Sequence, residues 1–420
     1  MRDKDLYATI LGIRSPWSVT EVTLDTPARE VRVRVEMDAK ADLQCPACAA
    51  PARRYDSRPR SWRHLDTCQY RTILVADVPR VECSEHGVLQ AFVPWAEPGS
   101  RFTALFEALV IDWLKEASIT AVADQLGLSW DEASGIQGRA VERGLRRRKR
   151  RLTPEIGVDE TAFARRYEYV TLVNDLERGE VLHVADDRRQ DSLESFFTQL
   201  TPEQLAAIEV VAMDMWGPYI QATQAHLPRA SSKIAFDKFH VAQHLGDAVD
   251  KVRRRENREL LGSGDQSLVG TKYLWLLSTP SRSEARARRF EVLRRSTLKV
   301  AKAWRIKEVA MELWRRRPRR EILADFRAWC TWARRFALEP IRQVANMIAA
   351  HIDGIVNAVA TGVTNAKSEA INSRIQWIKR TARGFRNRDR FRNAIYFHLG
   401  GLDLYPGTAF STHFATHTKA

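Results

Sequence analysis

Two apolar runs in this sequence each end on a carboxylate: "IGVD" at Ile156–Asp159 and "IEVVAMD" at Ile208–Asp214. The second is nearly all apolar, the pattern of a strand buried on both faces. A carboxylate ending such a strand is costly unless it is paired or holds a metal. A chain that carries two has to fold so that something answers both charges.

The neighbouring residues supply the rest of a sheet. "IGVDETAFA", "YEYVTLVNDL" and "EVLHVADD" predict three strands joined by short turns, with "ERGE" as one hairpin. "DSLESFFTQL" predicts a helix, "IEVVAMDMW" a fourth strand, "GPYIQATQAHL" a second helix, and "SKIAFDKFHV" a fifth strand running into a helix. Three antiparallel strands, helix, strand, helix, strand is the order of an RNase H-like fold, in which the first and fourth strands are neighbours. Asp159 and Asp214 then meet, and a divalent cation between them resolves their repulsion. Oxygen-only ligands favour Mg²⁺ or Mn²⁺. For either Asp alone a helix cap or salt bridge is the commoner use; the pair on adjacent strands reverses that balance. Asp237 and His240 in "DKFH" are expected beside these ligands, not among them, because the fifth strand lies beyond the fourth.

Nearer the start, "CPAC" (Cys45, Cys48) is followed by "VECSEHG" (Cys83, His86). Two ligand pairs, each spaced by two residues, fit a tetrahedral zinc site, and four protein ligands make it structural. His64 and Cys68 lie between as spare ligands. The remaining cysteines form no disulfide framework, which points to a reducing, cytoplasmic setting. No 18-residue apolar run predicts a membrane span, and the first residues lack the pattern of a signal peptide.

"FTALFEALVIDWLKEA" predicts a helix with Phe102, Leu105, Phe106, Leu109, Val110 and Trp113 on one side. In the following residues Ser118 or Thr120 caps a short helix, Gly127 turns the chain and Ser129 caps another helix, the outline of a helix-turn-helix. Six cations follow directly: Arg146, Arg147, Arg148, Lys149, Arg150 and Arg151. They read as a DNA-contacting linker and a domain boundary. The net charge of the 420 residues is +15, and phosphate neutralisation is where such charge gains binding energy.

In "TNAKSEAINSRIQWIKRTARGFRN" a single acid, Glu369, stands among Lys367, Arg374, Lys379, Arg380, Arg383 and Arg386. On a helical wheel Ile371, Ile375 and Ile378 fall together; Glu369, Asn372, Ser373, Gln376 and Arg380 form the opposite stripe. Thr364 or Asn365 is placed to cap this helix. For a lone Glu, a solvated charge beside cations is the ordinary use.

"GVDETAF", "VAMDMWGPYIQA", "AFDKFHV" and "TNAKSEAINSRIQWIKRTARGFRN" together resemble the blocks of bacterial insertion-sequence transposases with a DDE core, nearest the ISL-three family. The resemblance runs over nearly the whole chain. It implies that Asp159, Asp214 and Glu369 are the catalytic carboxylates, holding two Mg²⁺ or Mn²⁺ ions for DNA cleavage and strand transfer. It implies binding to terminal inverted repeats and target DNA, a homodimer in the active complex, and work at the bacterial nucleoid. The finger departs from the family in ending on His86 where Cys is frequent.

The implied architecture is an α/β RNase H-like catalytic core with a large α-helical insertion, preceded by a small zinc-binding domain and a helix-turn-helix domain. The expected limits are 1–98 for the zinc-binding domain and 99–151 for the helix-turn-helix and basic linker. The core follows as 152–250 and 346–420, with the insertion at 251–345. Within the insertion the stretch from about Lys251 to Arg342 reads as helices; "RSEARARRFEVLRRSTLKVAKAWRIKEVAMELW" has no Gly or Pro and is dense in Arg, and Pro318 in "RRRPRRE" starts a new helix. Trp275, Trp304, Trp314, Trp329 and Trp332 serve either as its core or as stacking surfaces for DNA. Beside the transposase stand two alternatives, a non-catalytic DNA-binding protein derived from one and an RNase H-like nuclease. The intact carboxylates argue against the first, and the two front DNA-reading modules against the second.

Overall fold

The computed structural model describes residues 3–164, 168–276, 284–363 and 366–407. The capping positions Thr364 and Asn365 lie outside them. The chain divides into two compact units. One holds the described residues of Met1–Lys149, Arg380–Gly384 and Arg392–Ala420; the other holds those of Arg150–Lys379 and Phe385–Phe391.

In the first unit α1 (Asp3–Ile10) leads into strands β1 (Trp17–Asp25), β2 (Glu30–Met37), β3 (Arg53–Thr67), β4 (Tyr70–Cys83) and β5 (Gly87–Gln90). Their order is β1-β2-β4-β3, with β5 against β4. Alternation makes the sheet one-sided: Val31, Val33 and Val35 are buried, while Arg32 and Arg34 between them are exposed. Trp95 meets Trp17 and Trp62 edge to face, with ring centroids 4.8 and 5.4 Å away. Each such contact adds about 0.5–1.5 kcal/mol beyond the area it buries.

Helices α2 (Ala104–Glu116), α3 (Ile119–Leu126) and α4 (Trp130–Arg147) follow. Ser118 Oγ accepts the Ala121 N–H at the start of α3. Gly127 ends that helix in the left-handed region, φ 61° and ψ 42°, where a side chain would be strained. Ser129 and Glu132 form a capping box on α4. The expected caps are therefore the observed ones. The expected face of α2 holds in part: Phe102, Phe106 and Val110 are buried and Leu105 and Leu109 half-buried, but Ile111 and Leu114 are buried as well and Trp113 is 44% exposed. Glu107 turns inward as well, because Arg139 and Arg143 of α4 answer its charge. A wheel drawn on apolar residues alone misses a paired carboxylate.

In the second unit β6 (Glu155–Ala164), β7 (Glu168–Asp175) and β8 (Glu180–Asp186) are followed by α5 (Gln190–Phe197), α6 (Pro202–Ala207) and β9 (Val210–Met213). Then come α7 (Gly217–His226), α8 (Ala230–Lys233), β10 (Ile234–Phe236) and α9 (Lys238–Gly262). The sheet order is β10-β9-β6-β7-β8. β6, β7 and β8 are antiparallel; β9 runs parallel to β6, and β10 parallel to β9. All four residues of β9 are buried, as the sequence requires of a strand between two others.

Helices α10 (Lys272–Leu276), α11 (Glu284–Arg295), α12 (Lys299–Glu312), α13 (Arg319–Arg334), α14 (Glu339–Ala350) and α15 (Ile352–Thr361) precede α16 (Ala366–Thr381). The Arg-rich stretch is helical as expected, in two helices that part between Arg295 and Lys299. The carboxylate of Glu256 on α9 receives the first N–H groups of α12, from Lys299 at 2.6 Å and Val300 at 2.8 Å. This cap comes from another helix, so local sequence does not announce it. Pro318 sits at the start of α13 as expected. The arginines around it fasten the fold: Arg316 donates to the carbonyls of Ala360 and Thr361, Arg317 pairs with Asp325, and Arg319 reaches Asn357.

These helices share one apolar cluster with the sheet, running from Ile156 and Met213 through Phe236 to Trp275, Phe326 and Ile355. Trp275 and Trp329 are buried in it, Trp304 and Trp314 pack against it, and Trp332 is 36% exposed. Helix α17 (Arg388–Leu399) carries residues of both units. Among the described residues no single helix is long and apolar enough to cross a membrane.

Candidate functional site

Strand pairing fixes the level of the two aspartates. Gly157 of β6 stands opposite Ala212 of β9 in parallel register. Two residues further along, the same offset sets Asp159 level with Asp214, just past the end of β9. Asp159 Oδ1 accepts the Glu160 N–H at 2.8 Å. Burial pushes the Asp159 carboxyl up to about 7, against that N–H and with the charge of Asp214 adding to the rise. Two carboxylates thus share one partly dry corner of the sheet.

The DKFH segment turns into the same corner. Asp237, nearly buried, caps α9 by accepting the Phe239 N–H at 3.1 Å. One turn on, Nε2 of His240 pairs with Oδ1 of Asp214, and this contact holds the imidazole above its usual pKa. Asp237 is therefore the junction residue. His240 answers the charge of Asp214.

Glu160, Arg188 and Trp216 also belong to this neighbourhood and were not singled out from the sequence. Glu160 is raised by burial and by the charge of Asp214, and Arg188 lies 3.4 Å from its carboxylate. The Arg188 guanidinium sits 4.7 Å from the ring centroids of both Tyr169 and Trp216, and Trp216 Nε1 donates to the Arg188 carbonyl at 3.0 Å. The signal for Trp216 was its place two residues after Asp214. Arg188 offered none, because it meets Trp216 only once the strand order is known.

Helix α16 runs along β6. Asn372 Nδ2 donates to Asp159 Oδ2 at 2.8 Å, Gln376 to Thr161 Oγ1 at 3.3 Å, and Lys379 to the Ala162 carbonyl at 2.7 Å. Ile371, Ile375 and Ile378 are buried as the wheel requires. On the opposite stripe Asn372 and Gln376 touch the strand, while Glu369, Ser373 and Arg380 are exposed. Glu369 is exposed, one helical turn before Asn372. Asp159, Asp214 and Glu369 are not drawn into a group as tight as that of the cysteines described below.

Of the basic residues expected to meet DNA, several have partners in the chain. Lys367 donates to the Glu177 carbonyl, Arg147 to the Tyr405 carbonyl and Asp403, and Arg150 to Gln199. Arg146, Lys149, Arg151, Arg374 and Arg380 have exposed side chains, and Arg148 is half-buried.

In the first unit the ligand atoms of Cys45, Cys48, Cys83 and His86 all lie within 4.8 Å of one another. Cys83 ends β4 and pairs across its hairpin with Gly87, which has φ 66°. The turn brings His86 Nδ1 to 3.6 Å from Cys83 Sγ, and Cys48 Sγ stands 3.8 Å from Cys83 Sγ on the other side. His86 and the N–H groups of Glu85 and His86 hold the Cys83 thiol down to about 6, which favours the thiolate a metal needs. Three sulfurs and one imidazole at this spacing suit a structural zinc. The spare ligands stand apart: His64 is buried with Nδ1 2.9 Å from Thr103 Oγ1, and Cys68 is exposed in the β3–β4 turn.

A metal-binding knuckle, a helix-turn-helix and a carboxylate-bearing sheet follow one another along the chain, and comparison with known proteins finds that order again. Residues 156–395, more than half the chain, match the family model described as transposase. Residues 93–141 match the helix-turn-helix domain of transposase family ISL3, and residues 43–86 the zinc-finger of transposase IS204/IS1001/IS1096/IS1165. The class is thus a transposase. The chain belongs to transposase family ISL3, and is a transposase of an insertion sequence with a helix-turn-helix DNA-binding domain. It is 26% identical to the transposase for insertion sequence element IS1557 of Mycobacterium tuberculosis, over 92% of this chain and 93% of that protein. It is 24% identical to the transposase for insertion sequence element IS1001 of Bordetella parapertussis, over 92% and 94%.

Proposed function

We propose that this transposase cuts and rejoins DNA in an RNase H-like core, with Asp159, Asp214 and Glu369 as its DDE carboxylates. The observation that carries this reading is the register of β6 and β9, which continued two residues brings Asp159 level with Asp214 just past the end of β9. The strand order with Asp159 on its central strand, and the helix of Glu369 laid along that strand, support it. The residues fit a divalent cation: two oxygen-only groups crowd together, one of them buried enough that its charge is costly. Asp159, Asp214 and Glu369 would hold two Mg²⁺ or Mn²⁺ ions. Such ions supply an activated oxygen nucleophile and a stabilised leaving oxygen.

The chain's own residues prepare the site. The Glu160 N–H and Asn372 fix both oxygens of Asp159, and His240 steadies Asp214. Exposed Arg374 and Arg380 on α16 neutralise the DNA backbone, so that the phosphate is positioned for in-line attack. The zinc-bearing region and the helix-turn-helix read the terminal inverted repeats, and two chains act as a dimer to hold two DNA ends. The domain limits proposed are 1–98, 99–151, 152–250, 251–345 and 346–420. The work is done at the nucleoid.

The test is strand transfer of a labelled terminal repeat with Mg²⁺. Asp159→Asn, Asp214→Asn and Glu369→Gln should each lose at least a hundredfold in rate while still binding the repeat. Retained activity in all three would overturn the assignment. A dead Asp237→Asn beside an active Asp214→Asn would move the second ligand.

A further inference from the structure

The polar atoms at the α16–β6 interface are unevenly satisfied. Asn372 gives its Nδ2 to Asp159, yet its Oδ1 is buried without a hydrogen-bond partner. Ser368, one turn earlier, is fully buried, and its Oγ is likewise unpartnered. Asn174 of β7 stands opposite Gly157 of β6, the residue two before Asp159, and is fully buried with neither amide atom bonded. Gly157 has no side chain to cover it. A buried polar group without a partner costs about 1–3 kcal/mol, so two amides and a hydroxyl at and beside this interface are not kept for packing.

Resting on the carboxylate reading above, we infer that Asn372 is a positioning residue that belongs to the cation site. Its Nδ2 locks the outer oxygen of Asp159, and its Oδ1 gives the site an additional neutral oxygen. Asp159 is left one rotamer: Oδ1 on the Glu160 N–H, Oδ2 on Asn372. A group that orients a metal ligand in this way is typically worth 10–100-fold in affinity. Ser368 and Asn174 extend the polar lining toward the start of β6, where a water or the cation's hydration shell finds hydrogen-bonding groups.

The test is Mn²⁺ binding to the full chain, titrated by electron paramagnetic resonance without DNA, together with melting temperature in Mn²⁺ and in chelator. Asn372→Leu should weaken Mn²⁺ at least tenfold. Asn372→Asp brings a further carboxylate against Asp159, so it should melt lower than wild type in chelator and gain more from Mn²⁺ than wild type gains. If Asn372→Leu does not fold, Asn372→Ser, too short to reach Asp159, carries the same comparison. A merely structural Asn372 would leave Mn²⁺ affinity within twofold in these variants and the Mn²⁺ gain of Asn372→Asp equal to that of wild type; either result overturns the inference. Asp159→Asn separates the two readings: unchanged Mn²⁺ binding in that variant removes the carboxylate assignment itself.

Discussion

Single residues carry consequences that their sequence positions hide. His64 is buried beside Thr103, and burial, helped by the charge of Arg63, lowers its pKa to about 4. The unfolded chain takes up that proton near pH 6.5, the folded chain only near 4. The stabilisation is therefore whole above 6.5 and is lost as the pH falls toward 4, by up to roughly 3 kcal/mol. His64→Gln should flatten this part of the melting-temperature profile, and an unchanged slope would exclude His64 as its source. Arg143 is 2% exposed between Glu97 and Glu107. Its replacement by Leu should cost about 3–5 kcal/mol in thermal unfolding, because buried Glu107 is left with Arg139 alone and half-buried Glu97 loses its partner. Gly354 faces Phe236, whose ring would lie 2.4 Å from an added Cβ. Gly354→Ala should therefore destabilise by about 1–3 kcal/mol. None of these three was legible beforehand: burial of His, Arg and Gly is decided by partners remote in sequence.

At the scale of elements, legibility followed the range of the determining contact. The caps at Ser118, Gly127 and Ser129 act within four residues, and the sequence showed them. Ser129→Ala should lower stability by about 1 kcal/mol, readable in the first unit's melting. The strands and their order around Asp159 and Asp214 were legible because apolar runs of that length admit few other uses. The gap between α11 and α12 was not, since Glu256 makes the cap from a distant helix. The Cys and His knuckles were readable from spacing alone. Elemental analysis should find about one zinc per chain, lost on Cys45→Ser; a folded, zinc-free wild type would end that assignment.

For the whole molecule the formal charge of +15 sets how DNA binding responds to salt. If six to ten phosphates are engaged, affinity for repeat DNA should fall about 10³–10⁵-fold between 50 and 200 mM salt. A flat response in a filter-binding or anisotropy titration would mean that the charge serves elsewhere. Part of it does, as Arg147, Arg150 and Arg316 show by binding carbonyls and carboxamides of their own chain. Composition counts such arginines as free for DNA; only the fold removes them from the total.

The same first unit sets an order in time. Tyr405 hydrogen-bonds to Asp112 and Lys115 of α2, and Arg143 and Arg147 of α4 hold the carbonyls of Leu404 and Tyr405. Lys115 and Tyr405 are 290 positions apart. On the ribosome the helix-turn-helix emerges long before the residues that clamp it, so its helices stay unclamped until Tyr405 has left the exit tunnel.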